Sequence, residues 1–430
     1  MREGWVMTDL PAFEEEDYMR SYINYISRIE FELQMIKYPS GGIESFTTSW
    51  KDVRDDLMKN DRFGGIIKKT RFVKDVVNQV PGSNDEQHMI QLFEHIKKHM
   101  KWDGKSRLFS QKGAKKCLKE GTGHAADINL TLITTLKAAG FNVHPVVLST
   151  RSNGMIPMTN PTVDHLNYVL AAVTIGDKRY FLDATEDYLP AATIPVRCLN
   201  GEAVLLHENG AQTFTLNPTG KYKTATQFEM ALSEDGVLEG VAKMTKSGYA
   251  AIYFRKDLTN ATSEEKLIEE MQEENEGLTI EEHTIQNYRN VYQPIKEEYH
   301  VSIEGKVVDA GELIYLNPML YDGIEENPFK LEKRQYPVDF AIPIEETYVF
   351  KFKIPEGYEV ESLPEAARFS LPEKASSFTF SAKVLNNEIN VISRLKMNKT
   401  LYVETEYAAL KEYYKLITKS HAEQIVLKRL

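Results

Sequence analysis

The stretch Gly121-Thr122-Gly123-His124-Ala125-Ala126-Asp127-Ile128-Asn129 decides how this chain is read. Two glycines make a turn that feeds straight into an apolar helix. Over 124–139, "HAADINLTLITTLKAA", the residues Ile128, Leu132, Ile133, Leu136 and Ala139 recur at helical spacing, and Gly140 sits where a helix C′ residue belongs. A buried helix start behind a glycine turn is where an enzyme would set a nucleophilic thiol. The helix N-terminus carries partial positive charge and lowers a thiol pKa. Strands that follow would bring a base and the carboxylate that orients it.

Upstream, Ser49 is the predicted N-cap of a helix from Trp50, and a second helical stretch covers 63–80, ending at Pro81-Gly82. Ser83 with Glu86 reads as a capping box ahead of Met89, Ile90, Phe93, Ile96 and Met100. Downstream come strands: "NVHPVVLST" from 142, "LNYVLAAVTI" from 166 and "RYFLDAT" from 179, the last two joined by the hairpin signal Gly176-Asp177-Lys178. Helices followed by antiparallel strands predict an α+β domain at about 45–205.

From about 215 the pattern turns to β. A hairpin is expected around Glu234-Asp235-Gly236, one Glu-rich helix at 263–275, and strands at "ETYVFKFKIP", "SSFTFSAKVL" and "NEINVISRLKM". A late helix at 404–419 precedes the strand "EQIVLKRL". Adjacent Tyr413 and Tyr414 diverge by about 100° on a helix, so one of them is expected to pack fully into the core. At the other end, Ile29, Phe31, Leu33 and Met35 alternate as a strand would. A lone strand is not stable, so it is expected to complete a sheet elsewhere.

The whole chain has 430 residues, which suggests roughly two to four domains. With 42% hydrophobic and 27% charged residues it is an ordinary globular composition. The net charge of −11 argues against a general nucleic-acid binder. Two cysteines, Cys117 and Cys198, exclude a disulfide framework and a Cys-rich zinc module. No apolar run is long enough for a transmembrane segment, and the first residues lack the apolar core of a signal peptide. There is no GxxxxGK[ST] loop, no HExxH and no metal-ligand spacing, so no cofactor and no metal are expected.

The stretches "KWDGK", "GTGHAADINLTLITTLKAAGFNVHPVVLSTR", "LNYVLAAV", "RYFLDATEDYLP", "RCLNG" and the closing "AALKEYYKLITKSHAEQIVLKRL" together give a specific resemblance. The chain resembles the transglutaminase-like superfamily, which shares the papain-like cysteine protease fold. It looks closest to a bacterial subfamily with a β domain before and another after the core. The resemblance implies the remnant of a preceding β domain at 1–45, a transglutaminase-like α+β core at 46–212, and a mostly β domain of sandwich type with helical inserts at 213–430. Related proteins are exported to the bacterial envelope, so a periplasmic or cell-envelope location is implied, although this chain shows no leader.

Catalytic relatives use Cys, His and Asp in that order, with the cysteine in a G-x-C-x-D pattern. Gly123 and Asp127 match the ends of that pattern, and Ala125 stands at the cysteine. Related strands read F-N-H-V-I and then L-D-P-T; here Leu166-Asn167-Tyr168-Val169-Leu170 is followed by Leu182-Asp183-Ala184-Thr185. Tyr168 therefore takes the histidine position and Asp183 is kept, with the tyrosine hydroxyl free to reach Asp183 in place of an imidazole.

Several neighbours carry two readings. Trp102 either covers a cleft or belongs to a core; His124 either lines the cleft or is exposed in the turn. Gly123, Asp127 and Asn167 are cleft candidates with them. His165 lies three residues before Tyr168, an odd offset that turns it to the opposite strand face unless the strand begins later. Cys117, beside Lys115, Lys116 and Lys119, is either an activated thiol or a half-buried structural one. Cys198 reads as packing, and Arg151 as a carboxylate binder or a surface ion pair. The expected protein is a catalytically inactive binding or scaffolding module with a peptide or glycopeptide as ligand. An active amidase or peptidase using a relocated nucleophile such as Cys117, and a purely architectural envelope protein, are the alternatives.

Overall fold

The structure, a computed structural model, describes residues 4–10, 12–31, 33, 35–45 and 49–430. The chain combines helices with many strands in two compact units, Met1–Thr219 and Gly220–Leu430.

In the first unit a short hairpin of β1 (Met35–Lys37) and β2 (Ile43–Ser45) precedes the helices. These are α1 (Trp50–Lys59), α2 (Gly64–Lys68), α3 (Lys74–Gln79), α4 (Glu86–His99), α5 (Ala114–Glu120) and α6 (Ala125–Ala138). Two-residue strands β3 (Lys101–Trp102) and β4 (Thr122–Gly123) pair in parallel just before α6. Strands β5 (Asn142–Leu148), β6 (Tyr168–Ile175), β7 (Lys178–Leu182), β8 (Gly201–His207) and β9 (Gly210–Leu216) form an antiparallel sheet ordered β7-β6-β5-β8-β9.

Helix α6 is the axis of this unit, with β5 and β6 on one side and α2, α4 and α5 packed on it elsewhere. Its sequence promises one apolar face, yet every residue from Ala125 to Leu136 is buried. The polar residues survive there because their bonds close internally. Thr131, Thr134 and Thr135 each donate to the carbonyl one turn back, at 2.6, 2.7 and 2.8 Å. Asn129 donates to Val169 O at 2.9 Å and accepts from Ala184 N at 3.0 Å, so one side chain ties the helix to β6 and to the turn that follows β7.

The expected helix boundaries hold at Ser49, whose side chain accepts from Asp52 N, and at Gly140, with φ +88°. The hairpin at Gly176-Asp177 is present between Ile175 and Lys178. Three expectations change. The stretch 63–80 is not one helix: Lys69, at φ −94° and ψ 72°, separates α2 from a 3-10 turn at Thr70–Val73 that leads into α3. The cap of α4 is Asp85, which accepts from His88 N at 2.9 Å, while Ser83 donates to Asp85 instead. Of the alternating opening residues Met35 enters a strand; Ile29, Phe31 and Leu33 are exposed, and none of the three is paired in a strand among the described residues. Alternation specifies a strand only when one face is covered.

The second unit is built on β10 (Tyr222–Leu232), β11 (Leu238–Gly248), β12 (Leu278–Gln286), β13 (Ile295–Ile303), β14 (Val307–Asp309), β15 (Leu313–Leu316), β16 (Val338–Asp339), β17 (Ile344–Lys353), β18 (Tyr358–Ser362), β19 (Ala367–Ser370), β20 (Ser376–Leu385), β21 (Glu388–Met397), β22 (Leu401–Tyr402) and β23 (Ile425–Arg429). One sheet runs β12-β13-β11-β10-β17-β21-β20-β19, and a smaller one runs β14-β15-β23-β18. Helices α7 (Tyr249–Asn260), α8 (Glu264–Glu274) and α9 (Tyr407–His421) complete it. One core holds Phe350 and Phe378 of the large sheet, Leu316 and Ile425 of the small sheet, and Leu410 and Ile417 of α9.

The sequence pattern does not announce helix α7. It is anchored by Arg255, 2% exposed, which donates to the carbonyls of Asn287, Tyr288, Asn290 and Gln293. Both tyrosines of "KEYYK" are buried, against the expectation of one. Tyr413 packs edge-on to Phe369 and Tyr414 to Phe329, so α9 meets aromatic partners over a wide arc.

Candidate functional site

The site is assembled where β3, β4 and the start of α6 meet the ends of β6 and β7. Gly121, with φ +71°, closes α5 by donating to Cys117 O at 2.8 Å, and the chain then enters β4. At Gly123 a Cβ would lie 2.7 Å from the Asp127 Cβ, so the pattern Gly-x-Ala-x-Asp is tight as well as polar. His124 caps the helix in extended conformation. Asp127 accepts from His124 N at 3.0 Å with one oxygen and from the Ser110 hydroxyl with the other. Asp127 thus holds the turn rather than facing a cleft.

His124 is 5% exposed, which corrects the reading that leaves it exposed in the turn. Its Nδ1 meets Asp103 Oδ2 at 2.6 Å and its Nε2 meets the Gln111 side-chain amide at 2.6 Å. Ala125 is fully buried, and its N–H donates to Lys105 O at 3.1 Å. A nucleophile's own amide is a common oxyanion donor; here that amide already has a partner.

Across from the helix start, Tyr168 opens β6 and is 0% exposed. Its hydroxyl donates to Asp183 Oδ2 at 2.7 Å. The other oxygen of Asp183 accepts from Thr185 N at 2.9 Å, from the Thr185 hydroxyl at 2.6 Å and from Asn129 Nδ2 at 3.3 Å. Burial, with the carboxylate of Asp183 behind it, pushes the Tyr168 phenol well above its ordinary pKa. It is therefore a donor and not a base at neutral pH.

Arg197 completes the arrangement, and sequence reasoning missed it. Its Nη2 donates to the Tyr168 hydroxyl at 2.7 Å and lies 3.5 Å from Asp183 Oδ2. It also donates to Thr185 and, through Nη1, to Glu186. Its guanidinium sits over the Trp102 ring at 4.3 Å and the Tyr168 ring at 5.3 Å. Trp102 is half-buried and its indole N–H donates to Lys105 O at 3.0 Å. The result is a closed polar cluster in which a phenol, two carboxylates and a guanidinium satisfy one another.

The remaining candidates lie apart from this chemistry. Asn167 straps β5 to β6: its Oδ1 accepts from Thr150 N and its Nδ2 donates to Thr150 Oγ1, both at 2.8 Å. His165 precedes the start of β6, so strand parity does not fix its direction; its carbonyl accepts from Asn153. Arg151 donates to Leu199 O at 3.1 Å. Cys117 is fully buried, and burial together with Asp127 pushes its thiol up to about 12. That direction is the opposite of what a nucleophile needs. The Cys198 thiol is also raised by burial. Among the described residues no group of three His, Cys, Asp or Glu side chains is placed to hold a metal ion. No helix among them is long and apolar enough to cross a membrane.

Comparison with known proteins bears on the second unit and on the fold. A family model described as a domain of unknown function with a solved structure, DUF3858, matches residues 312–427. None of the curated proteins matches the chain. A solved structure from Parabacteroides distasonis, described as a "putative protease", superposes with a TM-score of 0.50 at 13% identity. It covers 93% of this chain, which in turn spans only 63% of that one, and at this identity the likeness concerns the fold alone.

Proposed function

We propose that residues 46–212 form a transglutaminase-like core that has lost its chemistry, and that the protein works as a binding or scaffolding module. The observation that carries this reading is the Tyr168–Asp183–Arg197 cluster. If Ala125, Tyr168 and Asp183 occupy the nucleophile, base and orienting positions, the first has only a methyl group and the second is a buried phenol held as a donor. Covalent acyl transfer needs an electron pair at the first position and a proton acceptor at the second. Neither is available, and Arg197 occupies the side of Asp183 that an imidazole would share.

The ligand class that fits this reading is a peptide or glycopeptide, because loss of the reacting groups leaves the shape of a fold's groove in place. The half-buried Trp102 ring, already stacked on Arg197, is the surface on which such a chain would lie.

The test pairs reactivity with turnover. The purified chain is incubated with a fluorescent iodoacetamide and, separately, with generic peptide-amide and ester substrates. The expected result is slow labelling at Cys117 and no hydrolysis. Turnover that disappears in Cys117→Ala would overturn the proposal and make the protein an enzyme with a relocated thiol.

A further inference from the structure

The chain carries a net charge of −11, yet one concavity in Met1–Thr219 has the opposite sign. It is lined by Lys69, Arg71, Lys112, Lys115, Lys116 and Lys119, against the two carboxylates of Asp61 and Asp75. Its floor is apolar, made by Ile66, Phe72 and Ala114, and it holds about 950 Å³. That volume lies in the range of small-molecule sites, and an apolar floor with a few polar groups at the rim is their usual lining.

The cations are not neutralised by their neighbours. Lys69 reaches Asp61 only at 4.0 Å, with both side chains exposed. Lys112 and Lys116 share the single carboxylate of Glu120 at 3.5 and 3.7 Å. Exposed pairs of this kind contribute little. Among the described residues Arg71, Lys115 and Lys119 make no ion pair. Lys115 and Lys119 also stand one turn apart on α5, where like charges repel. A solvated helix face would spread its charge outward; here two segments distant in sequence, 69–71 and 112–119, converge on one hollow with an aromatic ring at its base.

We propose that this hollow binds an amphiphilic phosphate: a phosphate head on the Lys/Arg rim and an apolar body on Phe72 and Ile66. Arg71 offers the planar fork that engages two phosphate oxygens, and the lysines act as point charges around it. The same chemistry is presented by a soluble phosphate ester of an apolar alcohol and by an anionic lipid headgroup. The proposal is independent of whether the Tyr168–Asp183–Arg197 cluster is catalytic.

The full chain is titrated calorimetrically with dihexanoyl phosphatidylglycerol as the soluble probe, and sedimented with vesicles of phosphatidylglycerol or of phosphatidylcholine. Saturable binding of the soluble probe is expected, weakening as salt is raised because exposed charges are screened. Lys115→Glu/Lys119→Glu is expected to weaken it about tenfold while leaving the melting midpoint in place. Co-sedimentation with phosphatidylglycerol but not phosphatidylcholine would place the source in a membrane; binding of the soluble probe alone would place it in a free ester. No binding in either arm would overturn the proposal, as would binding unchanged in the double variant. Inorganic phosphate competing as well as the amphiphile binds would remove the role of the apolar floor.

Discussion

Tyr168→Phe removes one oxygen atom and keeps the ring, so it isolates what the hydroxyl does. In the parent that oxygen is fully buried, donates to Asp183 at 2.7 Å and accepts from Arg197 at 2.7 Å. Hydrogen bonds to charged groups are each worth about 1.5–3 kcal/mol. Two are lost together, but Arg197 keeps Thr185 and Glu186 and can close on Asp183 from its present 3.5 Å. We expect a net loss of about 3 kcal/mol, since no cavity of consequence is opened. In a unit of this size that corresponds to a midpoint lower by about 6–12 °C. Calorimetric melting of the two proteins checks it, with Arg197→Met and the double variant closing a cycle. The double variant is expected to cost less than the sum of the two single ones, because both act on one network. Midpoints that agree within about 1 °C would show that the hydroxyl carries no structural weight, and the account of the cluster would fail.

Two further expectations are independent of that one. Ala125→Cys with Tyr168→His, made together with Arg197→Met, should bring a thiol beside an imidazole, so iodoacetamide alkylation of the new cysteine should titrate below the ordinary thiol value of about 8.5; an ordinary or raised value would mean that the two positions do not meet. In Gly220–Leu430, burial and the neighbouring Glu346 push Asp322 up to about 7, while burial pushes His421 down to about 4. The folded chain keeps the Asp322 proton that the unfolded chain releases near pH 4, so this residue costs stability as pH rises toward 7. His421 acts in the opposite sense: the unfolded chain takes up a proton near pH 6.5 that the folded chain refuses, so stability falls as pH drops from 6.5 to 4. Relative to the parent, Asp322→Asn should therefore gain stability between pH 4 and pH 8, by about 4 kcal/mol at most, read from urea midpoints. A pH-independent difference would refute the placement of Asp322.

The parts of the structure that were legible in the sequence are those whose signals are local. Ser49 announces α1, Gly140 ends α6, and Gly176-Asp177 turns β6 into β7, each through the chemistry of one or two residues. The bond between Tyr168 and Asp183 could be anticipated because a hairpin sets their separation. What stayed hidden depends on distant partners. Helix α7 follows a strand directly, and its buried Arg255 is explicable only once the loop carbonyls at 287–293 are in place. Lys69 interrupts a helical pattern with nothing in its own residue type to say so. The tyrosines of α9 are both buried because Phe369 and Phe329 approach from different sides.

Arg197 is the most instructive of the hidden residues, because its role follows from electrostatics once Tyr168 is in place. Asp183 is 1% exposed, and a buried carboxylate is costly unless a cation or several donors compensate it. In a working triad an imidazole can take on that positive charge during reaction. A phenol cannot, whatever its geometry. On the proposed reading, replacing the histidine by Tyr168 leaves Asp183 hydrogen-bonded but without a countercharge, and Arg197 supplies it from the loop ahead of β8. The guanidinium is itself flanked by Trp102 and Glu186, so it is held by packing as well as charge. The three side chains then behave as one unit. Restoring an imidazole at 168 while Arg197 remains would place two cations on one carboxylate, so the lowered thiol titration of a reconstructed site should appear only when Arg197 is replaced as well.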